Sequence, residues 1–367
     1  MFQLGCQYLT MRIRTCILLA GLSLISSCKK DDTAPSTRTY RMGFQNSAPR
    51  YDDFNLVVQS LQLWSPRADA AMITTEVPWD SLYAGKSAQQ YVTNNYQGLV
   101  DYYRSKNFKL WVYIDPANGL NRASDANALV ALGKSIAQDD VQKLYRRFVV
   151  VMDSMLKPDH LGLALETNLI RSASSSSIYN GIKKAANDVV DDVRAIDASV
   201  MLSISVQADV AWGASNSSNN YVGIDQDFID FPFVQELGIS SYPYFNSSRP
   251  EDLPADYYSR LVTGKSLSVF VSEGGWTSQT FTGPGEVITG SPAVQQAYIE
   301  RQAQLLDQAK AIAWFQLTFT DIDLDHLPVN VDPTIKYFAY LGLVDTQLNP
   351  KPSLTTWDNI FKRTLIQ

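Results

Sequence analysis

Two glutamates stand at the ends of apolar stretches of this 367-residue chain. Side chains alternate along 161–166 and 268–273, so that Glu166 and Glu273 each close one face of a predicted strand. A protonated carboxyl group facing an ionised one supplies the general acid and the nucleophile needed to cleave a glycosidic bond. We therefore predict that these two carboxyl groups form a catalytic pair.

The elements that must position this pair form a repeating pattern from residue 40 onward. Short apolar stretches alternate with longer segments of helical period, which is typical of repeated βα units and a parallel sheet. An open doubly wound sheet usually carries a glycine-rich phosphate turn, and the sequence has none. We therefore predict one α/β domain over 39–367, a (β/α)8 TIM barrel, whose chemistry lies at the carboxyl ends of the strands. The eight predicted strands are 40–45, 70–75, 109–115, 161–166, 201–206, 238–242, 268–273 and 313–319.

The amino terminus has the pattern of a targeting segment. Arg12 and Arg14 precede an apolar run over 17–25, which is followed by Leu-Ile-Ser-Ser-Cys ending at Cys28. This end resembles the lipobox of bacterial lipoproteins. The resemblance implies a signal peptide over 1–28, cleavage before Cys28 and acylation of that cysteine.

Two further features of the amino-terminal sequence fit this resemblance. The apolar run is too short to cross a bilayer as a helix, which needs about 20 residues. The polar stretch 29–38 lacks an apolar period and is predicted to be a flexible tether. The implied location is the bacterial cell envelope, with the outer membrane as the expected site and surface exposure left open. Translation starts at either Met1 or Met11.

Charge and cysteine content limit the partners. Cleavage before Cys28 also removes Cys6 and Cys16, so that no disulfide forms, and it changes the net charge from −6 to −8 because two arginines are lost. An acidic chain disfavours nucleic acid and anionic surfaces as partners and suits neutral sugars. The two histidines, His160 and His326, lie far apart without metal-ligand spacing. We predict no metal, no cofactor, no nucleic acid, and a monomer that contacts the membrane only through its anchor.

Two motifs carry a resemblance to a known family. Residues 271–276, Val-Ser-Glu-Gly-Gly-Trp, are similar to the nucleophile motif of endo-β-1,4-galactanases, and 237–245 is similar to the sixth-strand run of that family. The resemblance implies a clan A glycoside hydrolase that retains configuration, with Glu166 as acid/base and Glu273 as nucleophile. It also implies that Tyr242 hydrogen-bonds the nucleophile. Galactan specificity is not carried over.

Further residues near predicted strand ends suit carbohydrate binding. Aromatic faces match the C–H faces of sugars, and carboxylates, hydroxyls and amides match their hydroxyl groups. We expect an extracellular poly- or oligosaccharide as the substrate. The predicted ligands, besides Tyr242, are Trp276, Trp314, Trp79, Glu76, Tyr113, Asp115 and Asn168.

A second interpretation stays open at this point. Members of the clan have asparagine immediately before the acid/base, whereas this chain has Leu165 before Glu166. The alternative is therefore a surface lipoprotein that binds glycans on a glycosidase-like barrel without cleaving them.

Overall fold

The computed structural model describes residues 35–45, 47–214, 220–327 and 331–366. The chain from Ser36 onward forms one compact unit. The predicted signal segment, Cys28 and most of the predicted tether lie outside the described residues. Within the described ranges, no helix has the length and the apolar character needed to cross a membrane.

Eight parallel strands close into a barrel, in which the last strand pairs with both the first and the seventh. The predicted (β/α)8 fold is therefore confirmed. The barrel strands are β1 (Arg41–Gln45), β2 (Ala70–Glu76), β3 (Lys109–Asp115), β4 (His160–Gly162), β5 (Met201–Gln207), β6 (Glu236–Ser241), β7 (Ser268–Gly274) and β8 (Ala313–Gln316).

Helices connect successive strands. The longest follow the sequence signals, as at Ser291, whose hydroxyl accepts from the backbone N–H of Val294 and caps a helix with proline at its first position. The α-helices are α1 (Phe54–Trp64), α2 (Trp79–Tyr83), α3 (Ala88–Val92), α4 (Gly98–Ser105), α5 (Asn127–Ala131), α6 (Asp139–Leu156), α7 (Thr167–Ala173), α8 (Ser176–Asp188), α9 (Val190–Ile196), α10 (Ala208–Ala211), α11 (Asp225–Asp230), α12 (Pro292–Ala309) and α13 (Pro352–Phe361).

The barrel interior is filled by side chains from alternate positions of the strands. Trp111 stacks on His160 there, with ring centroids 3.7 Å apart. The far larger core cluster includes the outer faces of the strands and the helices that cover them. The interior is therefore a packed core that supports the upper end of the barrel. Its buried apolar members are Ala70, Met72, Trp111, Tyr113, Leu165, Phe270, Ala313 and Phe315.

The ring of Tyr113 fits inside the barrel only because its neighbours lack side chains. A Cβ added at Gly162 would overlap that ring, whereas a Cβ at Gly98 would meet nothing within 4 Å. We expect Gly162→Ala to lower the free energy of unfolding by about 3 kcal/mol, because overpacking forces the ring or the backbone to move. Urea denaturation measures this loss. Gly98→Ala is the matched control and is expected to be neutral or stabilising. Equal unfolding free energies for the two variants would contradict this packing.

The fourth strand differs from its prediction. It ends at Gly162 instead of continuing to Glu166, and Glu166 itself has φ 48°, in the left-handed region. Its backbone N–H bonds to the Ser205 hydroxyl at 2.9 Å, and its carbonyl accepts from Ile170 at the start of α7. Glu166 is therefore the residue that precedes a helix. Non-glycine residues in this conformation store backbone strain and are concentrated at functional sites.

The fold also begins earlier than predicted. Thr37–Arg38 pairs as a short parallel strand with Thr364–Leu365. Arg38 is buried, and its guanidinium forms an ion pair with Asp69 at 2.7 Å. The last two residues of the predicted tether are therefore part of the folded domain, because a buried ion pair holds them there.

Candidate active site

A cavity of ≈ 950 Å³ lies at the carboxyl ends of the barrel strands. Both predicted catalytic glutamates line it. Of the predicted sugar ligands, Glu76, Asp115 and Tyr242 also line it. The structure therefore brings together five of the residues that the sequence singled out.

Glu273 is held at the end of β7 by neutral donors. A register shift between β6 and β7 sets Ser240 opposite Glu273, and the Ser240 hydroxyl donates to Glu273 Oε1 at 3.0 Å. The Gln45 amide lies 3.5 Å from the other carboxyl oxygen. A Cβ at Gly274 would overlap the backbone of Ser241. The glycine after Glu273 therefore allows the close strand approach that positions it.

The environment of Glu273 disfavours its charge. Burial raises the pKa of Glu273 to about 7, and the nearby Glu166 carboxylate adds to the rise, while Arg122 and the Ser240 hydrogen bond oppose it. Burial, followed by the charges of Glu273 and Glu166, likewise raises the pKa of Tyr242 well above its ordinary value. Tyr242 therefore keeps its proton beside both carboxyl groups.

Glu166 is held in a buried ion network. Arg122 donates from Nε to Glu166 Oε2 at 2.8 Å and from Nη1 to Asp115 Oδ2 at 2.6 Å. Burial opposes the charge on Arg122, but the two carboxylates outweigh it and raise the pKa of Arg122. A guanidinium at this distance stabilises the charged form of a carboxylate. The network therefore fixes the position of the Glu166 carboxyl group through a charge-assisted hydrogen bond to Arg122.

Sequence reasoning missed Arg122, Gln45 and Ser240. Arg122 lies in the loop between β3 and α5, where no periodic pattern distinguishes one charged residue from another. Ser240 and Gln45 stand at strand ends. That position in an eight-strand series is the sequence signal that could have identified them as cavity residues.

The amide predicted to bind sugar is used elsewhere. The Asn168 amide donates to the Gln207 carbonyl at 2.9 Å, and its oxygen accepts from the Gln207 N–H at 2.8 Å. Asn168 therefore joins α7 to β5, and the prediction of a sugar ligand at this position is wrong. Leu165 is buried at the cavity floor. Leu165 has no side-chain amide, and the amide of Asn168 is bonded to Gln207, so no amide reaches the cavity from these two positions.

The predicted aromatic ligands lie in the core. Trp79, Trp276 and Trp314 are at most 1% exposed, and Tyr113 is fully buried in the barrel interior. Trp314 packs on Trp357 with ring centroids 4.6 Å apart because alternation along β8 turns its neighbour inward. These four predictions are wrong, since a ring without an exposed face cannot stack on a sugar.

The raised pKa of Glu273 has a consequence for stability. An acid whose pKa is higher in the folded state favours folding below its unfolded pKa, near 4.3, and this contribution is lost as the pH rises through about 7. At pH 8 we expect the free energy of unfolding of Glu273→Gln to exceed that of the wild type by about 2 kcal/mol. The variant should therefore unfold at a higher temperature. At pH 4.5 the two should match. Calorimetry at both pH values measures this, with the exposed Glu286→Gln as control. A difference that is independent of pH would contradict the assignment.

Glu76 lies at the edge of the cavity. The Glu76 carboxylate accepts from the backbone N–H of Gly119 at 2.8 Å, which fixes the loop after β3 at the cavity edge. In the ranges that the structure describes, no three side chains among His, Cys, Asp and Glu are grouped to hold a metal ion.

No protein-family model matches this chain. The maintenance of mitochondrial morphology protein 1 of Cryptococcus neoformans var. neoformans serotype D is 28% identical over 134 residues. That match covers 34% of this chain, and the chain spans only 28% of that curated protein.

Solved structures match over most of the chain. The exo-β-1,4-mannosidase Op5Man5 from Opitutaceae bacterium strain TAV5 has a TM-score of 0.65 at 14% identity, covering 89% of this chain and 60% of its own. A family 53 glycoside hydrolase catalytic domain from Ignisphaera aggregans has 0.61 at 13%, covering 90% and 98%. A family 1 β-glucosidase from Thermotoga maritima has 0.59 at 12%, covering 86% and 88%. This chain spans about 60% of the mannosidase. The structural neighbours are thus clan A glycoside hydrolases, and at these identities the likeness establishes the shared (β/α)8-barrel fold.

Proposed function

We propose that this protein is a retaining glycoside hydrolase with Glu273 as nucleophile and Glu166 as acid/base. The observation that carries the proposal is that both glutamates line one cavity at the carboxyl ends of the barrel strands, close enough for the charge of one to raise the pKa of the other. The barrel shared with glycoside hydrolases adds support.

The proposed reaction has two steps. The ionised Glu273 carboxylate attacks the anomeric carbon and forms a glycosyl ester, while the bond to the leaving oxygen breaks and Glu166 gives that oxygen its proton. Glu166 then takes a proton from water, the water oxygen attacks the anomeric carbon, and the Glu273 carboxylate is released. Ser240 and Gln45 orient Glu273 by donating to its two oxygens. Retention of configuration follows from the two displacements.

The proton must lie on Glu166 when the first step begins. In the ligand-free molecule, Arg122 is hydrogen-bonded to Glu166, and burial raises the pKa of Glu273. In this proposal, the bound substrate displaces Arg122 from Glu166, and the protonated Glu166 carboxyl then faces the leaving oxygen.

A second function is favoured by the same ion network. If Arg122 stays bonded to Glu166 with substrate bound, Glu166 gives no proton to the leaving oxygen and the cavity only binds glycans. The absence of an amide at Leu165, and the use of the Asn168 amide in bonds to Gln207, point the same way.

One screen separates the two functions. Purified protein and Glu273→Gln are incubated with plant, algal and bacterial poly- and oligosaccharides and with aryl glycosides, and released sugars and binding are both measured. Product from the wild type and none from Glu273→Gln supports hydrolysis. Binding without product from the wild type supports the glycan-binding function. Equal release from both proteins removes Glu273 as nucleophile.

We propose further that the mature protein is anchored at the bacterial cell envelope through Cys28 and acts as a monomer on carbohydrate outside the cytoplasm. The support is the lipobox-like end of 1–28. We expect Cys28→Ser to move the protein from the membrane fraction to the soluble fraction of the cells that produce it, since acyl chains supply the attachment. Immunoblots of the two fractions measure the shift. A variant that stays with the membranes would refute acylation at this position.

A further inference from the structure

Half-buried apolar side chains line part of the cavity around the two glutamates. We consider six of them, which come from the loop after β3, from α7 and from the segment after β8, and each is half-buried. We refer to them as the apolar wall. Its members are Leu120, Leu169, Leu317, Ile322, Ile335 and Phe338.

Core packing does not account for most of this wall. Leu120, Leu169, Ile322 and Ile335 belong to neither hydrophobic core cluster among the described residues. Half-buried aliphatic side chains outside a core leave apolar surface in contact with water, which is unfavourable unless a ligand covers it.

Several charged groups of the same cavity are paired with one another, whereas the hydroxyls of Thr74 and Thr318 have no protein partner. Besides the Arg122 network, Arg50 donates to Asp52 at 2.7 Å and His326 Nδ1 lies 2.7 Å from Asp323 Oδ2. A wall of this kind offers few partners to sugar hydroxyl groups, whose burial without hydrogen bonds is costly. Its surface matches a hydrocarbon group instead.

We propose that the apolar wall is the subsite for an apolar leaving group, so that the substrate is an alkyl or aryl glycoside whose sugar lies at Glu273. This inference rests on the proposed function, because the cleaved bond must lie between the sugar and the group held by the wall. The leaving oxygen that Glu166 protonates is then the oxygen of an alcohol or a phenol. An oligosaccharide leaving group is the competing outcome.

The test measures binding without turnover. Methyl, butyl and hexyl β-glycosides of glucose, galactose and mannose are titrated calorimetrically into the Glu273→Gln protein. Each buried methylene can strengthen binding by up to about fourfold. We expect hexyl glycosides to bind at least about tenfold more tightly than methyl glycosides of the preferred sugar.

Matched variants locate the effect. Ile322→Asn and Ile335→Asn, each combined with Glu273→Gln, should reduce the hexyl gain to less than about threefold. Ile229→Asn, at an isoleucine that is 70% exposed on α11, should keep the full gain. Equal affinities for methyl and hexyl glycosides of all three sugars, or a gain that survives both wall substitutions, would overturn the proposal.

Failure of this inference and failure of the proposed function give different results. Glu273-dependent cleavage of oligosaccharides without any alkyl gain would defeat the apolar subsite alone. An alkyl gain that depends on Ile322 and Ile335, in a wild-type protein that cleaves no glycoside, would keep the subsite and defeat the hydrolase.

Discussion

Replacing Glu273 by glutamine is expected to lower the rate of glycoside hydrolysis by at least about 10³-fold. The substitution keeps the size of the side chain and one acceptor oxygen for Ser240 or Gln45, while an amide cannot form the glycosyl ester. Because the same change removes a buried acid with a raised pKa, the variant should also be at least as stable as the wild type at neutral pH. Loss of activity in a more stable protein separates chemistry from misfolding.

The measurement is kcat on a substrate found in the glycan and glycoside screen, together with the unfolding temperature. Glu286→Gln, an identical exchange at an exposed position, should keep wild-type kcat and stability. A Glu273→Gln protein that hydrolyses at more than about a tenth of the wild-type rate would show that another group attacks the anomeric carbon.

Removing Arg122 is expected to have the largest effect on stability. Arg122→Met leaves Glu166 and Asp115 buried without their shared countercharge, and breaking a buried ion pair from one side costs about 3–5 kcal/mol. We expect a loss of that size in the free energy of unfolding, measured by urea denaturation at pH 7.

The matched control removes the charges together. Arg122→Met combined with Asp115→Asn and Glu166→Gln should recover most of the loss, because no uncompensated charge remains buried. Arg50→Met, which breaks an exposed ion pair with Asp52, should cost less than about 1 kcal/mol. A loss below about 1 kcal/mol for Arg122→Met alone would mean that the network does not hold Glu166 in the folded protein.

Much of the barrel followed from sequence pattern. Alternation of apolar strands and amphipathic helices is a local property, and it predicted all eight strands and the position of Glu273 at the end of an extended run, just before Gly-Gly. The end of the fourth strand was not predictable in this way. Glu166 adopts a left-handed conformation because its N–H and carbonyl are bonded by β5 and α7, and these bonds exist only in the assembled barrel.

The aromatic residues show a second limit. Strands of a parallel barrel are buried on both faces, so apolar character cannot tell which face points inward. Trp314 and its neighbour Phe315 are both apolar, and only the barrel geometry places Phe315 inside and Trp314 against the outer helices. Arg122 illustrates the same point for charge, because its partners are 7 and 44 residues distant.

Trapping of the glycosyl ester tests the central claim most directly. Activated 2-deoxy-2-fluoro glycosides slow both displacements and let the covalent intermediate accumulate when the leaving group is good enough. After incubation, intact-protein mass spectrometry should show one added sugar, and peptide mapping should place it on Glu273. An adduct on Glu166, or hydrolysis of ordinary glycosides with no adduct on either glutamate, would contradict the account.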